Sequence, residues 1–260
     1  MLQDVTNTSQ ESEIERVEQA LRRLQVKLPG VLRYRFESTL DHLDRAFTLF
    51  EIDREMASFR AITAEEEAAT ALIRCIQLRR YNFSNKFNPR HHQHKAAVMA
   101  CVMAVGSTLQ PMLKNFQLIF DFSLPRIDLQ VPLSNFGVAG GDKYALQFVE
   151  PLDLVHTREG ISETELFDDA LRGLAERSKF EHIKGLVSAQ ANARNTLLYA
   201  SDSAPPVSNA TLEILKGRRN RAVALLILTV MIWQKKEEQA LVRHAILAFL
   251  GVMSKLPEPN

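Results

Sequence analysis

A mainly α fold, a helical bundle with a small three-stranded antiparallel β insertion, follows from three features of the chain. Apolar residues recur at three- and four-residue steps through the first 114 residues, the mark of amphipathic helices. Over residues 115–156 the period changes to two, and from residue 160 the helical period returns. With 46% hydrophobic residues in a chain of 260, one sizeable core can be buried. The sequence therefore divides into an N-terminal amphipathic helix (1–30), a first bundle half (31–114), the β insertion (115–156) and a second bundle half (160–256), all within one compact domain.

Composition narrows the function classes. Thirty-two Lys and Arg face 31 Asp and Glu, so contact with nucleic acid must come from local patches rather than a basic field over the molecule. The first residues lack a basic start and an apolar stretch of signal-peptide length, and no apolar run is long enough to span a bilayer. Cys75 and Cys101 both fall in apolar helical patterns, where a free thiol behaves as a small core residue. These features predict a cytoplasmic protein without a membrane partner, of monomer or dimer size.

In the first segment, Ile14, Val17, Leu21, Leu24 and Leu28 form one stripe, with acidic residues early and basic ones late, as the helix dipole favours. Two heptads are short for a coiled coil, so docking against the bundle is expected. Pro29-Gly30 then breaks the chain. From residue 38 to 80 neither proline nor glycine interrupts the helical pattern. One helix of that length would span about 60 Å, which points to a restart at Thr63, where Thr-Ala-Glu-Glu fits a capping box with Glu66 reaching back.

Residues 62–95 concentrate the polar chemistry. If the helix runs through Thr63, Ile62, Glu66, Ala69, Ile73 and Ile76 share a stripe with Glu65 beside it, while Glu67 points to the polar side. Two inward carboxylates need partners, because an unpaired buried charge is strongly disfavoured. Asn88-Pro89 reads as the next helix opening. On that phase His91 and His94 join the apolar face with Val98 and Val102, whereas His92 lies toward Lys95, Met99 and Met103. The exposed N–H groups of a first turn favour an anion and help keep imidazoles neutral, as a general base, a metal ligand or a satisfied polar group requires.

In the insertion, Leu118, Phe120 and Phe122 alternate with Gln117, Ile119 and Asp121, and Ile127, Leu129, Val131 and Leu133 with Arg126, Asp128, Gln130 and Pro132, across a tight turn at 123–125; residues 144–149 read as a third strand. The glycine-rich loop 137–143 lacks phosphate-loop spacing and reads as a connection.

The second bundle half opens at Ser162, again suited to capping. Farther on, Phe180, Ile183, Val187, Arg194 and Leu197 share a face, and an arginine on an apolar stripe needs a carboxylate or a phosphate. Residues 201–208, with Pro205-Pro206, end that helix. Lys216, Arg218, Arg219 and Arg221 read as a solvated helix start leading into the apolar run 222–233; the alternative is a phosphate-binding patch. An apolar helix over 241–253 and a frayed end complete the chain.

The acidic helix ITAEEEAA, the helix start HHQHK and the later segment RNTLLY with its proline loop together resemble AbiV-like abortive-infection proteins, within the broader HEPN-like helical group. The resemblance covers about residues 47–105 and 191–207. It implies a helical bundle, often a homodimer, acting in phage defence or toxin-type RNA cleavage. One departure is visible: the nuclease signature of the group is R-x(4–6)-H, whereas Arg194-Asn195 is followed by Tyr199.

The expected site therefore comprises Glu66, His91, His94, Arg194 and Tyr199 as chemical groups, with Glu65 beside them. Arg90, Lys95, Asn195, Arg218 and Arg219 are the expected contacts to substrate. Glu66 should lie within bonding reach of Arg194, His91 or His94. The expected partner is RNA or another protein, and no cofactor is implied. In the enzymatic form a neutral His91 or His94 would take the 2′-hydroxyl proton while Arg194 holds the phosphate. The alternatives are a non-catalytic interaction module and a carboxylate–histidine metal centre. The ferritin-like form of the latter needs Glu-x-x-His within one helix, a spacing that residues 65–67 lack.

Overall fold

The computed structural model describes residues 3–155, 157, 159–199 and 210–254, with residues 3–12 described by their backbone alone. The proline loop expected at 201–208 and the frayed end lie outside these residues. The chain is mainly α: α1 (Gln3–Leu24), α2 (Gly30–Leu49), α3 (Arg54–Leu78) and α4 (His92–Leu109) precede a small sheet of β1 (Gln117–Asp121), β2 (Arg126–Pro132) and β3 (Ala145–Phe148). Then come α5 (Asp168–Arg177), α6 (Ile183–Leu198), α7 (Leu212–Trp233) and α8 (Ala240–Ser254).

The first stripe docks inward: Leu21 and Leu24 have no exposed surface, and Ile14 and Val17 pack against the same core. Helix α3 is the centre of the bundle. Its small residues Ala57, Ala61, Ala64, Ala68 and Ala71 are fully buried, which lets α2 and α7 approach its backbone closely on either side.

The break in residues 38–80 falls at 50–53, not at Thr63. Asp53 has extended backbone and its carboxylate accepts from the Met56 N–H at 2.9 Å, satisfying a donor that the start of α3 leaves open. Thr63 lies inside the continuous helix, and its hydroxyl donates to the Phe59 carbonyl at 2.8 Å. Glu66 therefore has no capping duty.

The next helix starts later than Asn88-Pro89 predicts. The Asn88 side chain accepts from the Arg90 N–H at 3.0 Å and its carbonyl from the His91 N–H at 3.1 Å, closing a turn. Helix α4 begins at His92, so His91 is a flanking residue with extended backbone. A similar delay holds at Ser162. Its hydroxyl bonds to the Glu165 carboxylate at 2.7 Å in a local turn, and Leu166 and Phe167 are buried before α5 begins at Asp168.

The sheet has the order β1-β2-β3, antiparallel throughout, with Leu118 opposite Leu129, Phe120 opposite Ile127 and Val131 opposite Leu146. Ile127, Leu129 and Val131 are buried on the face toward α7. Asp128 is also buried, held by Arg126 at 2.7 and 2.6 Å and by Gln147 at 2.9 Å. These bonds, the arginine's first, keep its carboxyl below the ordinary range. The loop 137–143 turns through Gly137 and Gly140 at positive φ, and no helix follows it.

Cys75 and Cys101 are buried and form no disulfide, and desolvation pushes both thiols up to about 12. Among the described residues no helix is long and apolar enough to cross a membrane.

Candidate functional site

The two inward carboxylates of α3 face different helices. Glu65, 9% exposed, points at α7, where Arg218 and Arg221 project one turn apart. The Arg221 Nε lies 2.6 Å from Glu65 Oε1, and the Arg218 guanidinium donates to Oε2. Helix α7 starts at Leu212, capped by the Thr211 hydroxyl on the Ile214 N–H, so the basic cluster lies inside the helix rather than at a solvated start.

Glu66 points at the first turn of α4. Its Oε1 is 2.7 Å from His92 Nδ1 and its Oε2 is 3.5 Å from Lys95 Nζ. On the far side of the imidazole, Arg194 Nη2 of α6 comes within 3.4 Å of His92 Nε2. This hydrogen-bond network assigns the tautomer: Nδ1–H donates to Glu66, and the Nε2 lone pair faces the Arg194 guanidinium. The expectation that Glu66 contacts Arg194, His91 or His94 is therefore corrected. Its partners are His92 and Lys95, and Arg194 joins it only through His92.

A cavity of about 90 Å³ lies between α3, α4, α6 and α7, lined by both carboxylates with His92, Lys95, Arg218 and Arg221. Two buried polar atoms at its wall, Gln190 Oε1 and Arg218 Nε, have no hydrogen-bond partner among the described residues. The volume corresponds to about three waters at roughly 30 Å³ each. Three cationic side chains meet two carboxylates there, and Arg194 adds a cation with no carboxylate partner among the described residues.

The remaining expected residues lie elsewhere. His91 is exposed, and its ring stands edge-on to His94 with centroids 5.4 Å apart. His94 is half-buried beside Phe249 and accepts from the Asn88 N–H at 3.1 Å; burial first, and His91 second, hold its pKa below 6.5. It satisfies a turn rather than serving the cluster. Tyr199 is 67% exposed just past α6, and Asn195 and Arg90 are exposed. Arg219 is not a surface contact: it is buried, chelating Glu18 of α1 at 2.7 and 2.5 Å with its guanidinium over the Phe47 ring.

Sequence reasoning missed His92, Arg221 and Glu18. The face assigned to His92, with Lys95 and Met99, is the one that turns to Glu66, since all three line the cavity. Arg221 stands three residues after Arg218, the spacing that puts two guanidiniums on one carboxylate. Among the described residues, no three His, Cys, Asp or Glu side chains converge as a metal centre would require. Comparison of the chain with protein-family models, with curated proteins and with solved structures gives no match.

Proposed function

We propose that this chain is a HEPN-like protein that engages RNA through the His92–Arg194 pair and cleaves it without a metal. The supporting observation is the relay Glu66–His92–Arg194, at 2.7 and 3.4 Å. A carboxylate on Nδ1 orients the imidazole and stabilises the imidazolium that forms, which suits Nε2 to act as a general base. An arriving phosphodiester engages the Arg194 guanidinium, which frees the Nε2 lone pair for a 2′-hydroxyl. His92 takes that proton, the 2′-oxygen attacks phosphorus, and the bond to the 5′-oxygen breaks as that oxygen takes a proton from water. Lys95, in the first turn of α4, adds positive charge where the phosphorane develops. The setting, cytoplasmic phage defence or toxin action, rests on the sequence resemblance alone.

A second reading, a non-catalytic interaction module with a structural polar cluster, is favoured by one observation: each carboxylate already has two cationic or imidazole partners. The two readings separate on labelled single-stranded RNA incubated with the purified chain in the presence of a chelator. The enzyme reading expects products with 2′,3′-cyclic phosphate ends, reduced at least about a hundredfold by His92→Ala, the usual scale of general-base loss. Intact RNA, or cleavage that His92→Ala leaves unchanged, gives the case to the module.

A further inference from the structure

Arg221 and Met99 also border a second, much larger cavity. It measures about 1560 Å³, between α1, α4, α7, α8 and the inner face of the sheet. The space opens to solvent, and since ligand pockets usually run about 300–1,000 Å³ it is large enough to hold a ligand. Ile14 and Val17 of α1, Val102 of α4, Ile227 and Leu228 of α7 and Phe120 of β1 line it. All six pack against the main core yet are only partly buried, so most of the wall is apolar.

The polar groups of the lining are few; on α7 they are Asn220 and Arg221, the latter held by Glu65. Glu13 and Arg16, both exposed, stand one turn apart on α1. Lys114, just past α4, is exposed and forms no ion pair with a carboxylate among the described residues; Gln110, Asn115 and Gln117 line the same space. Beside it Met112 and Phe116 are exposed by 47% and 44%, an apolar approach next to a lone cation.

This arrangement selects its occupant. A peptide strand or a nucleotide carries polar groups along its length, and a mostly apolar wall would leave most of them unpaired. A hydrocarbon chain has none, and a single anionic head finds its counter-charge at Lys114. We propose that the cavity binds a fatty-acid anion, with its chain between α4, α7 and the sheet and its carboxylate at Lys114. The inference is independent of RNA cleavage, because it uses none of Glu66, His92 and Arg194.

The test is calorimetric titration of the full chain with laurate below its micellar concentration, with dodecanol for comparison. Saturable binding of one laurate per chain is expected. Lys114→Ala should weaken laurate by about tenfold and leave dodecanol unchanged, as removal of a single charge contact would. Filling the cavity by Val102→Phe, or independently by Ile227→Phe, should weaken both ligands by about tenfold or more, with thermal melts confirming which variants fold. Absence of saturable binding, binding that both filled variants retain, or laurate no tighter than dodecanol overturns the proposal. A dimer whose light-scattering mass laurate does not change, lost in the filled variants, would assign the cavity to a second copy of the chain and overturn it equally.

Discussion

Replacing Arg219 with alanine should be among the most damaging single changes in the molecule. The pair it forms with Glu18 joins α7 to α1 with two charge-assisted bonds, at 2.7 and 2.5 Å, between side chains only 10% and 11% exposed. Truncation leaves the Glu18 carboxylate buried without a second cation among the described residues, and breaking a buried pair in this way costs about 3–5 kcal/mol. Loss of the guanidinium over Phe47, 5.0 Å from the ring centroid, adds to that cost. At about 2–4 °C per kcal/mol for a chain of this size, the melting temperature should fall by roughly 6–20 °C. Differential scanning calorimetry on Arg219→Ala, Glu18→Ala and the double change Glu18→Leu with Arg219→Met reads the effect. Each single change should destabilise, while the double apolar change recovers most of the loss, because the desolvation penalty disappears with both charges. A fall of less than about 2 °C in Arg219→Ala, or a double variant no better than the singles, would refute this reasoning.

Two further outcomes follow from the fold. Asp53→Ala removes the acceptor that opens α3 and should cost about 1 kcal/mol, or 2–4 °C in the same scans, whereas Thr63→Ala should cost less because Thr63 only donates to the preceding turn. For pH, burial first and charged neighbours second hold His94 and His42 below 6.5 in the fold. As pH falls through that value the unfolded chain takes up protons before the folded one, so stability present above it is lost toward the lower folded values. Melting temperature should be level above about pH 7 and decline below about pH 6.5, with His94→Gln flattening part of the decline.

The helices and the sheet were legible because their apolar periods differ; alternation gives the face of each strand residue, whereas the pairing of Leu118 with Leu129 is set by the turn between the strands. Element starts were less so. Thr63 and Ser162 carry capping sequences, but a capping sequence inside a helix, or beside a segment pinned by Leu166 and Phe167, is overruled by packing. That the acidic helix and the histidine-rich helix meet was readable, since inward carboxylates demand partners. Which histidine meets Glu66 was not. It depends on the Asn88 turn, which leaves His91 outside the helix and gives the α3-facing side of α4 to His92 and Lys95. The Glu18–Arg219 pair joins residues far apart in sequence, and no local pattern links them.

The most direct test of the site is Arg194→Ala, measured for single-stranded RNA affinity across a salt series alongside thermal stability. Arg194 contacts His92 and no carboxylate among the described residues, so its loss strands no buried charge. RNA binding should weaken by about tenfold and the slope of log affinity against log salt should fall by about 1, while the melting temperature moves by less than about 2 °C. A wild-type chain that does not bind RNA, or a variant that unfolds while its salt slope is unchanged, would contradict a phosphate held by Arg194 beside His92.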